Sequence, residues 1–409
     1  MSPPPAAGAL SARGAWRMLL ALCTAFMLSQ AYRTVGAIMA APLAAEFSLS
    51  AQALGIFSGA FHFSFGAMQL FMGIGIDLHG VRRTVLVAFP LAIVGALVSA
   101  TASHFSVLVA GQVLVGIGCA PAFLVCTVFI ARHFPSVRFA SVSGLVLGIG
   151  GLGMLLTGTP LAWLVQDHSW RMGFVVLAVA SALAWIAIAA VVRDPLPTRD
   201  GPRESVPAAL RQFGALLLMP HTLGIMALGA VTYAAFISLR GLWLGPLLMS
   251  RHGYSLVQSG NVALVVSVVS LFGPPLFGRF DSDGPRRRRI VACAIAYAAL
   301  FGATAIFTQA WLDIGGAILI GLLSGFIVWQ YADVRVAYPA AITGRAMAVF
   351  TMAMFIGVAL MQWVTGLAAS IGAARGIEPY TAVLATIAVL LVLATLAFCW
   401  LPAPRAPSR

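Results

Sequence analysis

Two arginines, Arg33 and Arg240, each interrupt a long apolar run. A guanidinium at the centre of a membrane helix costs about 2.5 to 3.5 kcal/mol on insertion scales, so each needs a reason. They are 207 residues apart, and each falls only about 6 to 9 Å beyond the midpoint of its run at 1.5 Å per helical residue. Two readings fit. A guanidinium binds carboxylate or phosphate through parallel N–H donors, so the pair could clamp one anion from opposite sides of a cavity. Alternatively, each arginine snorkels to an interface or bonds helix carbonyls. Gln30, three residues before Arg33, and Tyr233, seven before Arg240, share the arginine faces of their helices. Gln112, Gln330 and Gln362 are further polar residues within apolar runs. Polar groups are costly in hydrocarbon, so all are expected around a watery, substrate-binding cavity.

His62 stands between Phe61 and Phe63, well inside another run. Its ordinary pKa suits proton exchange, while a bond to its own helix is the alternative. None of the 24 basic residues is a lysine. That excludes a Walker P-loop and Schiff-base chemistry. The five cysteines lie in apolar stretches without metal-ligand or disulfide spacing. The stretch Gly148–Gly153 formally satisfies GxGxxG, but no strand precedes it, and small residues in mid-span predict close helix packing. No catalytic residue, metal or cofactor is expected.

The elements that must position these residues follow from composition. The chain has 409 residues, 61% of them hydrophobic and 9% charged, with a mean hydropathy of +0.99. At about 20 residues per span this allows about twelve membrane helices and excludes an ordinary soluble protein. Apolar runs place spans near 18–41, 54–76, 84–102, 106–131, 140–165, 171–192, 221–248, 256–278, 290–308, 311–337, 345–370 and 380–401. The polar stretch from Arg193 to Arg211 divides six from six. The expected organisation is a tail at 1–17, halves at 18–192 and 221–401, a linker at 193–220 and a tail at 402–409. The first helix is expected to be uncleaved.

With both termini cytoplasmic, 19 of the 24 arginines fall on the inner side and only Arg171, Arg251 and Arg375 on the outer. This positive-inside bias sets the orientation and predicts residence in a bacterial inner membrane. It also accounts for the net charge of +13 without nucleic acid. Spans three, six, nine and twelve carry almost only apolar residues and should face lipid. The halves repeat: Asp77 and Asp281, Gly80 and Gly284, Arg82 and Arg286, Arg83 and Arg287, Pro135 and Pro339, and Arg171 and Arg375 each differ by 204. Paired six-helix repeats are how secondary transporters surround a midplane site.

At these residues the sequence resembles the major facilitator superfamily. Gly73, Asp77, Gly80, Arg82 and Arg83 follow the family's loop motif GxxxDRxGRR, echoed by Asp281, Gly284, Arg286 and Arg287. Leu78 and Ser282 replace its usual Arg. The resemblance implies an all-α fold of two pseudo-symmetric six-helix halves, with this motif bracing a closed cytoplasmic side. Gln112, with Gly116 and Gly118, resembles the RxxxGxG pattern but lacks the Arg associated with proton-antiport drug exporters. Arg33 and Arg240 resemble the arginines of organophosphate and organic-anion exchangers, whose additional helix-two Lys is replaced here by Gln69.

The expected function is secondary transport of a small organic anion, a carboxylate before a phosphate ester, by a monomer. Export of lipophilic drugs is the alternative, with a membrane sensor or enzyme behind it. None of the eleven acids lies at the midplane to balance the arginines. This predicts either anion exchange or symport with a proton carried by the substrate or by His62.

Overall fold

The computed structural model describes residues 12–135, 138–193, 214, 216, 218–280, 286–338 and 340–402. In hydrocarbon a segment must satisfy its own backbone N–H and C=O groups, so the apolar runs become helices. The spans are α1 (Ala12–Thr34 and Gly36–Phe47), α2 (Ala51–Ile76), α3 (Leu78–Ala100), α4 (Phe105–His133), α5 (Ser141–Asp167), α6 (Trp170–Val191), α7 (His221–His252), α8 (Leu256–Arg279), α9 (Arg286–Ile306), α10 (Ala310–Ala337), α11 (Arg345–Ala374) and α12 (Pro379–Trp400). They coincide with the spans read from the sequence to within a few residues at most ends.

Several spans are broken where the sequence supplies a cause. The two segments of α1 meet at 46°. In α4 the helix resets at Pro121, which lacks an N–H to continue the ladder. In α7 a π-helical turn, Leu239–Trp243, carries Arg240. In the first turn of α3, Gly80 breaks the helix with φ 81°, a conformation that favours glycine.

One apolar core gathers residues from Met18 to Val192 together with Phe355. A second gathers residues from Leu216 to Phe398 together with Ala40 and Leu54. α3, α6, α9 and α12 turn large apolar side chains outward, among them Val87, Leu183, Ile295 and Leu393. That is the expected lipid-facing surface.

The halves meet most closely along helix crossings that only small residues permit. At α1–α7, a Cβ on Gly36 would come 2.7 Å from the Gly241 carbonyl oxygen, and one on Gly245 would strike that of Ala37. At α2–α11, Gly55 packs against the Gln362 carbonyl, and a Cβ on Gly366 would come 2.7 Å from that of Ala51. A hydrogen bond from Gln52 N to Ser370 Oγ (3.2 Å) crosses the α2–α11 seam, and one from Thr159 Oγ1 to Asn261 Oδ1 (2.6 Å) crosses between α5 and α8. All these contacts lie toward the end that carries Glu46 and Arg171. Gly73, nearer the Arg82 end of α2, has only Leu124 of α4 within reach among the described residues.

Candidate functional site

Where α1, α2, α7 and α11 converge, Arg33 is 6% exposed. Its guanidinium carbon lies 4.7 Å from the Phe65 ring centroid and 4.6 Å from that of Phe355. These rings come from opposite halves and can hold the cation through cation–π attraction. Around its edge, Nη1 donates to Tyr233 Oη at 3.4 Å and Nη2 to Ser29 Oγ at 3.5 Å, while Nε has no hydrogen bond. Both bonds are long for charge-assisted ones, which run near 2.7 to 2.9 Å. The Arg33 edge is therefore underused. Gln30 and Tyr233 are half-buried, leaving an accessible surface beside it.

Arg240 is fully buried and its partners lie elsewhere. Nε donates to Ala263 O at 3.0 Å and to Ser267 Oγ at 2.7 Å, both on α8. Nη2 donates to Met154 O on α5 at 2.9 Å. The structure brings the α1 and α7 backbones together but not the two guanidiniums, which share no partner. Carbonyl bonding, the alternative to a clamp, describes Arg240 in this conformation.

The glutamines divide in the same way. Gln112 Nε2 points to Ser99 Oγ of α3 at 3.5 Å, and Gln330 exchanges hydrogen bonds with Thr232 at 3.0 and 3.1 Å. Neither joins Arg33. Gln362 is buried in the α2–α11 seam next to His62, with neither amide atom bonded at normal geometry. His62 Nδ1 lies 3.0 Å from Ser58 O, and Nε2 is unpartnered. His62 therefore bonds its own helix and also keeps one nitrogen free.

Of the loop motif, Arg82 Nη2 donates to Ala189 O of α6 at 3.0 Å. Arg287 donates to the Phe398 carbonyl of α12 and stacks on the Phe398 ring at 4.1 Å. Both tie down a helix end within their own half. Arg83 is exposed, Gly73 faces α4 and Arg286 opens α9. Asp281 and Gly284, and the side chain of Asp77, lie outside the described residues. In Gly148–Gly153, Gly150 packs on the Phe26 ring and Gly153 on the Met27 carbonyl. This is the close helix packing expected of small residues.

Sequence reasoning missed Phe65 and Phe355, since single aromatics in apolar helices carry no signal. It also missed an ionic cluster at the Glu46 end. There Arg251 reaches Asp313 at 3.0 Å and Glu378 at 2.6 Å, and His252 Nε2 lies 2.7 Å from Asp313.

A model of the Major Facilitator Superfamily matches residues 18–360. The chain belongs to the major facilitator superfamily. It is accordingly an integral membrane transporter rather than an enzyme, with the superfamily's all-α fold. It is similar to a hexuronate transporter of Bacillus subtilis (strain 168), 23% identical over 338 residues and covering 76% of each chain. A probable sulfoacetate transporter, SauU, of Cupriavidus necator is 24% identical over 164 residues, 40% of this chain and 38% of that one. Among solved structures, a D-xylose-proton symporter superposes with a TM-score of 0.75 at 15% identity, covering 96% of this chain and 99% of that one. A bacterial homologue of the human lysosomal transporter Spinster gives 0.72 at 17% identity, covering 93% and 95%.

Proposed function

We propose that this superfamily member carries a small organic anion by alternating access, with Arg33 receiving the anionic group. The observation that carries this reading is a buried guanidinium whose edge is almost unbonded, at the meeting of four helices from both halves. Among the described residues no acidic side chain bonds it. An isolated buried charge is unfavourable, and a carboxylate could take up its free donors in parallel. The hexuronate and sulfoacetate transporters to which the chain is similar are named for anions, in keeping with this reading.

The halves 18–192 and 221–401, joined through 193–220, act as the two rocking units, each around its own core. The arginine excess supports an orientation with the Arg82 end in the cytoplasm and the Glu46 end outside a bacterial inner membrane. In that orientation the described conformation is closed outward by the glycine seams. Opening outward would part α2 from α11 and draw Phe355 and Tyr233 away from Arg33. The anion is accompanied by a counter-anion or a proton, in a monomer.

Thermal-shift screening of the purified protein against carboxylates, sulfonates, phosphate esters and cationic dyes tests this, since a ligand that binds the native state raises the melting point. Stabilisation by carboxylates or sulfonates is expected. Stabilisation by cationic dyes alone would favour a lipophilic-drug exporter instead.

A further inference from the structure

Resting on the reading of Arg33 as the anion site, we propose that its substrate carries a single negative charge on a compact apolar or aromatic body, and that sugar acids are poor ligands. Three observations lead there.

The first is the wall of the site. Phe65 and Phe355, with ring centroids 4.3 Å apart, lie side by side against the guanidinium. Tyr233 packs edge-on to Phe355 with centroids 5.4 Å apart, and Tyr331 turns its hydroxyl to Met354 Sδ at 3.4 Å. A ligand whose anionic end meets Arg33 therefore lays its remainder against rings and thioether, surfaces that reward apolar area.

The second is what the polar side chains near this depth are doing. Ser64 bonds the carbonyls of Ala60 and Phe61, and Gln69 bonds that of Ala120. Tyr32 is bonded to Ser181 at 3.1 Å, Thr34 to Thr157 at 2.6 Å, and Gln330 to Thr232. His62 and Gln362 keep unpaired atoms but are sealed in the α2–α11 seam at 1% and 0% exposure. Ser238 Oγ on α7 is also unpaired but fully buried, so among the described residues Gln30 and the Tyr233 hydroxyl are the half-buried donors beside Arg33. A hexuronate would bring several hydroxyls into this surface, each giving up water for no fixed partner.

The third is charge. Arg240 directs Nε to α8 and Nη2 to α5, keeps Nη1 buried and unbonded, and shares no hydrogen-bond partner with Arg33. One guanidinium balances one negative charge, so a doubly ionised phosphate ester would enter with a charge uncompensated.

Titration calorimetry on the full-length protein in lipid nanodiscs, with benzoate, cyclohexanecarboxylate, D-glucuronate and benzyl alcohol, tests this. Benzoate and cyclohexanecarboxylate should each bind at least about tenfold tighter than glucuronate, a difference well within the reach of matched surfaces. Benzyl alcohol, with the same ring but no charge, should bind far more weakly than benzoate. Glucuronate binding as tightly as benzoate or tighter would overturn this proposal and leave Arg33 as an anion site. Benzyl alcohol matching benzoate would overturn the anion reading itself. Heat from none of the three carboxylates would overturn both.

Discussion

Arg33 and Arg240 lie on helices whose backbones touch, a Cβ on Gly241 coming 2.9 Å from the Arg33 carbonyl oxygen, yet their side chains leave that crossing for different seams. Arg33 reaches α2 and α11, and Arg240 reaches α8 and α5. Under the internal repeat α1, α2 and α11 correspond to α7, α8 and α5. The two residues are thus structural equivalents doing different things. One offers its donors at the edge of the helix crossing, and the other has turned Nε to α8 of its own half and Nη2 to α5 of the other, with Nη1 buried and unbonded.

That difference separates their kinetic roles. Arg33→Gln should raise the apparent KM of an anionic substrate by about a hundredfold or more, as expected for losing two charge-assisted hydrogen bonds of about 1.5 to 3 kcal/mol each. Arg240→Gln, removed from the ligand but bridging α7 to α5, should lower the maximal rate and leave KM within about threefold, since it changes the conformational equilibrium more than the contacts. Uptake kinetics in proteoliposomes measure both. A large KM effect at Arg240 with none at Arg33 would reverse the assignment.

The glycine crossings make a prediction about conformation. Gly245→Val places a branched side chain against the Ala37 carbonyl, where no space exists. The described closure should become unfavourable, and the separation between spin labels at Ser48 and Arg375, on opposite halves of that end, should shift to longer distances. An unchanged distance distribution would show that this crossing does not control closure.

At the same end, Asp313 is 2% exposed in its side chain and holds both Arg251 and His252. Asp313→Asn would take the carboxylate from His252 and leave Arg251 with Glu378 alone, at a cost below the roughly 3 to 5 kcal/mol of a fully broken buried pair. A marked fall in Tm is expected, and a Tm equal to wild type would contradict it. Burial raises the Glu378 carboxyl, but the Arg251 guanidinium and the N–H and hydroxyl of Thr381 outweigh it and hold the group below its ordinary 4.5. Its folded pKa is thus below its unfolded one. Its contribution is present above about 4.5 and is lost as pH falls through the lower folded value. With 38% of the Glu378 side chain exposed, solvent screening keeps that contribution small.

Much of the fold was legible because hydrocarbon forces a simple code, in which an apolar run of sufficient length is a helix and an arginine cluster marks an end. The repeat at 204 residues placed equivalent positions in both halves before any coordinates. What could not be read was the direction of a polar side chain on a helix apolar all round. Gln112 and Gln330 have the same kind of neighbours in sequence as Gln30, yet they turn into helix contacts with Ser99 and Thr232. Arg240 was harder still, because the π turn at Leu239–Trp243 rotates its helix face. Phe65 and Phe355 gain meaning only when folding brings them together against Arg33.

Reorientation of the empty carrier follows from the same residue. An unliganded Arg33 would move between states without a counter-charge, which is unfavourable in a low-dielectric interior. Uptake should therefore be faster into vesicles preloaded with substrate, or be driven by an imposed pH gradient. Rapid uptake into empty vesicles without a gradient, unaffected by His62→Ala, would rule out both forms of coupling.

The central claim, that Arg33 receives the anionic group, is tested most directly by titrating the tightest-binding carboxylate into wild-type protein, Arg33→Lys and Arg33→Gln, each verified as folded by its thermal transition. The predicted order is wild type tightest, the lysine variant intermediate because it keeps the charge without the planar fork, and the glutamine variant weakest by about a hundredfold or more. Equal affinity in all three proteins would contradict the account and place the anion elsewhere.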